Sequence, residues 1–324
     1  MADAPTSAPT ELPTAPSQPP PDGLARPRDF SAGYGEGLSS GLSLGGGGVF
    51  FVAWQVAYLA TLAEHGVDLA GSPRVVGTSA GSLVASVLEG GHIGRFRKEV
   101  SLLARAPKLI GALAPAGTLR PSQERARDIF FLAEDAEPDT IREIGRAALA
   151  ARTPSDSVMA RNVAVVLKSR RWPADALHIT CVDTYTGERC VITREHGVPI
   201  TRAVAASSAV PGLFSPQPIL DRRCMDGGVC GTGTHLDLLA GAERAVVLNL
   251  TDGAGAERGA MTSGPRAVLE ELEALEATGT RVFRRQPERM DLMTLMDPAA
   301  VPDAVAMGRR QAVADVAELR AFLR

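Results

Sequence analysis

"PRVVGTSAGSLVASVLEGG" runs from Pro73 to Gly91 and changes its pattern once. Its first part, "PRVVG", combines β-branched side chains with a terminal glycine, which is typical of a short buried strand. The remainder, "TSAGSLVASVLEGG", favours a helix that stops at the glycine pair Gly90–Gly91. The stretch therefore predicts a strand that passes through a tight turn at Ser79 directly into a helix.

The segment before it repeats this plan. "GLSL", Gly41–Leu44, is a short strand candidate that enters a run of glycines, and Val49–Glu64 is a mostly apolar helix candidate with a stop near Gly66. Two strand–loop–helix units in succession favour an α/β fold with a mainly parallel central sheet, because parallel strands need helical crossovers.

The rest of the chain suggests one domain behind a tail. Residues 1–37 are rich in Pro and Ala and have no hydrophobic period, so they are predicted to form a disordered tail. Residues 38–324 are predicted to form the domain. Between about residues 93 and 169 the helical segments become polar and charged, which indicates a helical insertion or lid packed on the sheet core.

Composition excludes several classes of function. The formal net charge of −3 and the pI near 6.0 speak against an electrostatic nucleic-acid binder. No signal peptide is apparent, and the apolar run Val49–Leu62 is short for a membrane span, so a cytoplasmic location is expected, with contact to a membrane surface left open. No CxxC pair or zinc-ligand spacing occurs, so we predict no metal, no cofactor and reduced structural thiols at Cys181, Cys190, Cys224 and Cys230.

The candidate nucleophile is Ser79, which stands in the middle of "GTSAG". A G-x-S-x-G sequence between a strand and a helix is typical of a nucleophile elbow, a sharp turn that presents the serine hydroxyl above the sheet. Gly77 and Gly81 lack side chains, so neighbouring elements can approach the turn closely. The following helix directs its N-terminal N–H groups and the positive end of its dipole at the site, which favours developing negative charge.

A serine hydroxyl needs a base, and "CMDGGV" offers Asp226 followed by Gly227 and Gly228. The two glycines let the backbone turn tightly and leave the carboxylate accessible. His235 is the one histidine near this motif. The chain order Ser–Asp–His matches that of the α/β-hydrolases, so a triad through His235 stays open as an alternative mechanism.

The glycine run supplies candidate donors for an oxyanion. Acyl transfer places negative charge on the substrate carbonyl oxygen, and N–H groups held in a fixed loop stabilise that charge. Consecutive glycines let several N–H groups converge on one anion and let a substrate approach the backbone, which makes the glycine run a candidate oxyanion loop. A nucleotide-binding loop is disfavoured, because the dinucleotide pattern fails at Phe51 and no Gly-Lys-Ser/Thr follows.

Together the motifs and their order resemble the patatin-like phospholipases of bacterial type. The resemblance covers roughly Gly41–Thr251 and rests on "GLSLGGGG", "VVGTSAGSLVAS", "ITCVDTYTGE", "AASSAVPGLFSP" and "CMDGGV". It implies a three-layer α/β/α sandwich and hydrolysis of phospholipid or other lipid acyl esters through an acyl-enzyme. It also implies a Ser–Asp dyad without histidine, in which Ser79 is the nucleophile and Asp226 the base, with an oxyanion hole at Gly46–Gly48.

One stretch departs from the family pattern. The family loop usually continues after the glycines with any residue, then Arg or Lys, then Gly, whereas this chain has Val49, Phe50 and Phe51. We expect Phe50 and Phe51 to reshape the mouth of the pocket and to alter the head-group preference. The departure also keeps open a function of another class, a catalytically silent lipid- or partner-binding module. In either case the resemblance suggests acyl contacts at Val210, Leu213 and Phe214.

Overall fold

The computed structural model describes residues 22–103, 118–253 and 257–324. Within them eight strands form one sheet: β1 Gly41–Leu44, β2 Val75–Thr78, β3 Leu177–Asp183, β4 Arg189–Ile192, β5 Gln217–Ile219, β6 Arg222–Asp226, β7 Arg244–Leu248 and β8 Arg281–Arg285. The α-helices are α1 Gly48–Glu64, α2 Ala80–Glu89, α3 Ile93–Leu103, α4 Pro121–Phe131, α5 Pro138–Ala150, α6 Asp156–Leu167, α7 Ile200–Ser207, α8 Ala267–Ala277 and α9 Val301–Phe322.

The sheet is parallel at its centre and antiparallel at one end. Its strand order is β5-β6-β3-β2-β1-β7-β8, and β4 pairs with β3 beside this path. The pairs among β8, β7, β1, β2 and β3 are parallel, whereas β4, β5 and β6 run antiparallel to their partners. Because β1 and β2 are adjacent and parallel, the loops that leave their carboxyl ends, the glycine run and the GTSAG turn, lie side by side.

Helices cover both faces of the sheet. Alternate strand residues such as Leu42 and Val75 pack with α1, α2, α7 and α9 on one face. The strand residues between them point to the second face of the sheet. There Val76 and Val247 pack with α8, and Val182 packs with α4 and α5. This alternation is the period-2 pattern of a strand buried on both sides. The predicted three-layer α/β/α sandwich with a mainly parallel sheet is therefore confirmed.

The predicted insertion, residues 93–169, contains four helices in its described part, α3 to α6. Its helices pack on both faces, because α3 and α6 join the core beside α1 whereas α4 and α5 join the opposite core. Residues 104–117 of the predicted insertion lie outside the described residues. A role of this region as a lid stays a prediction.

Residues 22–37 pack on the domain, although composition assigned them to the tail. Leu24 is fully buried, and its carbonyl accepts a hydrogen bond from the Val191 N–H at 2.9 Å. The Arg189 guanidinium donates to the carbonyls of Arg26 and Pro27 and forms a buried ion pair with Asp237, with N–O distances of 2.6 Å. The packed chain thus begins before residue 37, and only residues 1–21 of the predicted tail lie outside the description.

None of the described helices combines the length and apolar character needed to cross a bilayer.

Candidate active site

Ser79 stands between the last residue of β2 and the first residue of α2, at a φ of 51° and a ψ of −118°. A positive φ is costly for a residue with a Cβ, so the surrounding structure must hold this turn in place. The Ser79 N–H donates to Ser207 Oγ at 2.8 Å, and the Ser79 carbonyl accepts from Ser82 Oγ at 2.7 Å and Ser208 Oγ at 3.3 Å. The predicted elbow conformation is thus present, and serines from α2 and the end of α7 hold it.

The two flanking glycines are sterically required at this elbow. A Cβ at Gly81 would fall on the Leu44 carbonyl and lie 2.8 Å from the Gly45 oxygen at the end of β1. A Cβ at Gly77 would lie 2.7 Å from the Cα of Ser82. Real Cβ atoms do not approach neighbours so closely. A larger residue at position 81 would therefore force the turn away from β1, and one at position 77 would force α2 away from β2.

The glycine loop joins β1 to α1 directly beside Ser79. A Cβ at Gly46 would lie 3.1 Å from the Ser79 Cβ, so the bare backbone approaches the Ser79 side chain. The N–H of Gly45 is used, since it donates to the Leu248 carbonyl at 3.0 Å. By contrast, in the described part of the chain the N–H groups of Gly46, Gly47 and Gly48 donate to no protein acceptor. Free N–H groups at a helix N-terminus attract negative charge.

Asp226 is the last residue of β6 and is only 3 % exposed. Its Oδ1 accepts from the Gly228 N–H at 2.8 Å, whereas its Oδ2 makes no hydrogen bond to a described residue. Gly227 lies against β3, where a Cβ would come within 2.6 Å of the Thr180 carbonyl oxygen. The two glycines of the motif therefore have separate tasks: Gly227 permits close packing, and Gly228 holds the carboxyl group.

Burial determines the protonation of Asp226. Loss of hydration raises its pKa from the ordinary 3.8 to about 7, although the Gly228 N–H and the Ser79 hydroxyl both lower it. Of these opposing effects, burial is the largest. A carboxyl group with a pKa near neutrality is a far stronger base than an exposed aspartate and is still ionised in part at physiological pH.

His235 lies next to this site but is not connected to Ser79. It is fully buried, its Nε2 contacts the Gly227 carbonyl at 3.2 Å, and its Nδ1 has no partner among the described residues. Burial, together with the charges of Arg189 and Arg28, holds the pKa of His235 well below its usual range. The described hydrogen bonds thus link the imidazole to the backbone of the DGG motif rather than to either proposed dyad side chain.

Phe50 and Phe51 point away from the pocket. Phe50 is 5 % exposed and Phe51 is fully buried, and neither lines the cavities at Ser79. The Phe51 ring stacks on Trp54 at a centroid distance of 5.3 Å, and Trp54 stacks on Tyr58 at 5.1 Å. The expectation that these phenylalanines form the pocket mouth is therefore wrong, because the helical phase of α1 turns them into the core. Val49 is the residue of this stretch that lines a cavity.

Two cavities meet at Ser79. One has a volume of about 430 Å³ and is mostly apolar. The other has a volume of about 620 Å³ and contains polar groups, including Asp226, Asn249, Asp252 and Arg258. Both share Gly48, Ser79, Val210 and Met296 in their walls. Of the suggested acyl contacts, Phe214 lines the apolar cavity, Leu213 the polar one, and Val210 both.

Sequence reasoning missed several supporting residues. Ser207 and Ser208 lie in the quoted "AASSAVPGLFSP", but their hydrogen bonds to the Ser79 backbone depend on how α7 packs. The contact of Gly48 is equally remote in sequence, since a Cβ there would lie 2.5 Å from the Leu295 carbonyl oxygen. A local sequence pattern does not reveal contacts between residues more than 100 positions apart.

The fold and these motifs define an α/β protein with an elbow serine, a glycine loop and a buried aspartate gathered at one edge of the sheet. Residues 42–236 match the patatin-like phospholipase family, which is more than half of the chain. The chain belongs to this family. No curated protein matches the sequence.

Two solved structures are similar to the chain over most of its length. VipD from Legionella pneumophila has 14 % identity and a TM-score of 0.40, with 86 % of this chain and 67 % of that chain covered. The type III effector protein ExoU has 19 % identity and a TM-score of 0.31, with 85 % of this chain and 53 % of that chain covered. At these values neither likeness bears on what this chain does.

Proposed function

We propose that the chain is a lipid acyl hydrolase in which Ser79 is the nucleophile and Asp226 the general base. The observation that carries the proposal is the meeting of four features at one point: a strained serine, a buried carboxyl group of raised pKa, free loop N–H groups and two cavities. Membership of the patatin-like phospholipase family supports a lipid ester as the substrate.

The proposed reaction begins with proton transfer. The ionised Asp226 accepts the proton of the Ser79 hydroxyl while Oγ attacks the ester carbonyl, and the oxyanion so formed accepts hydrogen bonds from the N–H groups of Gly46–Gly48. Each such donor contributes on the order of 10²–10³ in rate. Collapse of this intermediate expels the alcohol, which takes the proton from Asp226. Water then attacks the acyl-enzyme by the same steps and releases the fatty acid.

The two cavities support separate binding places for the two parts of the substrate. We assign the acyl chain to the apolar cavity, whose walls include Val52, Leu83, Phe96 and Phe214, and the alcohol portion to the polar cavity, which contains Arg258. The cavity volumes of about 430 and 620 Å³ fall in the range typical of ligand sites.

A lipid surface as the source of substrate is supported by the rim of the apolar cavity. Leu102 and Val165 line this cavity and are 67 % and 73 % exposed. Apolar side chains exposed at the mouth of an apolar cavity favour contact with aggregated lipid. We therefore propose that the protein acts on lipids at a membrane or vesicle surface.

Ser79→Ala tests the nucleophile. The variant is expected to lose hydrolysis of short p-nitrophenyl acyl esters and labelling by a fluorophosphonate, whereas Ser157→Ala, an exposed serine on α6, keeps both. Profiling the lipids released by wild type against Ser79→Ala then identifies the substrate. Hydrolysis that persists in Ser79→Ala contradicts the proposal.

The same samples distinguish the two alternatives. A chain that binds lipid saturably but never reacts with the fluorophosphonate is the catalytically silent binding module. A triad through His235 requires that His235→Gln abolish turnover, whereas the Ser79–Asp226 dyad predicts that correctly folded His235→Gln keeps most of it.

A further inference from the structure

Three buried thiols converge on the first face of the sheet. Cys181 on β3, Cys190 on β4 and Cys224 on β6 are all fully buried and form no disulfide. Their sulfur atoms all lie within 4.8 Å of one another. The fourth thiol, Cys230, is also free and buried but lies outside this group. Below, the thiol cluster denotes Cys181, Cys190 and Cys224.

Strand register brings the thiol cluster together. Cys181 pairs directly with Cys190 of β4 and, across its other edge, with Asp226 of β6. Cys224 lies two residues before Asp226 and therefore on the same face of β6. All three side chains belong to the hydrophobic core that also contains Ile200 and Val204 of α7. The cluster is thus formed by the consecutive strands β3 and β4 and by β6, which comes later in the chain.

The chemistry of three converging sulfurs goes beyond that of three separate core thiols. An isolated buried cysteine acts as a small apolar residue. Three cysteines whose sulfur atoms face one point can lose their thiol protons and together form a set of soft metal ligands. Thiolate ligands select Cu(I), Zn²⁺ and iron–sulfur clusters. Structural zinc is almost always bound by four ligands, and the group contains no fourth cysteine, histidine or carboxylate among the described residues.

We propose that Cys181, Cys190 and Cys224 bind one soft monovalent metal ion, Cu(I), in a three-coordinate thiolate site. The ion replaces thiol protons and bridges β4, β3 and β6. The positive charge of the Arg222 guanidinium attracts the Cys190 thiolate and offsets part of the negative charge of the three thiolates.

The site lies behind the proposed dyad rather than in it. Cys181 is the partner of Asp226 on the neighbouring strand, and Cys224 lies two residues before Asp226 on β6. Helix α7 covers this face of the sheet and ends at Ser207, whose Oγ accepts the hydrogen bond from the Ser79 N–H. A bound ion would therefore fix the strand ends that carry Asp226 without touching substrate. Its role is structural, so its test does not depend on hydrolysis.

The test uses the reduced full chain under anaerobic conditions. Cu(I) is supplied as its bicinchoninate complex, and transfer to the protein is followed by loss of the chelate absorbance, with Zn²⁺ titrated in parallel. We expect transfer of one equivalent of Cu(I), three sulfur neighbours in the X-ray absorption spectrum and a higher melting temperature with copper. Each of Cys181→Ser, Cys190→Ser and Cys224→Ser should weaken binding by at least about 100-fold, whereas Cys230→Ser should not.

Each variant is checked for native circular dichroism before titration, and Cys→Ala replaces any Cys→Ser variant that fails to fold. The absorption spectrum of copper-loaded wild type needs no variant and decides the ligand set by itself. Equal uptake by wild type and the three variants, loss of uptake in Cys230→Ser, or tighter binding of Zn²⁺ with a fourth ligand would overturn the proposal. The proposal would also be overturned if the protein takes up no copper and its mass shows the loss of two hydrogen atoms from a disulfide within the cluster.

Discussion

Replacing Asp226 by Asn should stabilise the protein while removing its activity. Burial raises the pKa of Asp226 from 3.8 to about 7, a shift of about three units, and each unit corresponds to about 1.4 kcal/mol. Keeping this carboxylate charged therefore costs roughly 4 kcal/mol of unfolding free energy at pH 8. Asn has nearly the same shape and keeps an oxygen for the Gly228 N–H, so Asp226→Asn should recover most of that amount. Loss of the base should reduce ester hydrolysis by about 10²–10⁴.

The pH dependence makes the prediction specific. The folded protein holds the Asp226 proton up to about pH 7, whereas the unfolded chain releases it near pH 3.8. Because the folded state binds more protons between these values, wild-type stability falls as pH rises from about 4 to about 7. Asn does not titrate, so the difference between the two proteins should grow from about 1 kcal/mol at pH 4.5 to roughly 4 kcal/mol at pH 8.

Urea unfolding at pH 4.5 and pH 8, followed by circular dichroism on chelator-treated protein, measures the difference. The chelator removes any ion bound at the proposed thiol cluster, whose charge would otherwise act on the neighbouring Asp226. Asp221→Asn is the matched control, because Asp221 is exposed and should give no pH-dependent difference. The reasoning is refuted if Asp226→Asn is less stable than wild type at pH 8, or if the difference is the same at both pH values. In wild type, kcat/KM should rise about tenfold per pH unit and level off above about pH 7.

Three further predictions concern packing, lipid contact and buried charge. Gly81→Ala should lower the unfolding free energy by at least about 1–3 kcal/mol, because its Cβ falls on β1. Gly94→Ala, at a helical site with no neighbour within 4 Å, should gain up to about 1 kcal/mol in the same urea titration. Val165→Glu should reduce hydrolysis of phospholipid vesicles but not of a soluble short-chain ester, and Val313→Glu on α9 should reduce neither. Arg189→Leu leaves a buried carboxylate without its partner, so it should cost about 3–5 kcal/mol in a thermal or urea unfolding experiment.

The sequence predicted those features whose causes are local. The elbow at Ser79 and the glycine loop could be predicted because their glycines favour sharp turns. The predicted ends of the strands and helices beside them differ from the observed ends by at most a residue or two. The DGG motif indicated a tight turn, and the structure shows one, with the carboxyl group held by Gly228. The expectation of an accessible carboxylate is wrong, since Asp226 is only 3 % exposed. Each of these inferences uses fewer than twenty neighbouring residues.

The features that the sequence did not reveal depend on register, phase or packing. Leu24 lies in a Pro-rich segment whose composition resembles a tail, yet a single buried leucine and main-chain hydrogen bonds to β4 hold it. Phe50 and Phe51 were assigned to the pocket because they stand next to the glycines, but the phase of α1 turns them inward. The thiol cluster escaped notice because its members have no metal-ligand spacing and meet only through the pairing of three strands.

The part of the chain beyond the family match completes the proposed site. Residues 42–236 contain Ser79, Asp226 and the glycine loop, but the loop is held from outside that range. The Phe50 N–H at the start of α1 donates to the Leu295 carbonyl at 3.1 Å. Farther along α1, Trp54 donates to Gln311 and Tyr58 to Asp315, both on α9 and both at 2.8 Å.

These contacts bear on how the proposed oxyanion loop would act without the usual basic residue. The position that carries Arg or Lys in the family pattern is Phe50 here, so no side-chain cation from this position reaches the oxyanion. In the proposed mechanism the oxyanion would be stabilised by loop N–H groups and by the dipole of α1, and both depend on the exact placement of the helix N-terminus. The stack of Phe51, Trp54 and Tyr58, fixed to α9 by two hydrogen bonds, supplies that placement. Phe51, which stands at a position where the family pattern has glycine, thus helps to hold the start of α1 from within the core.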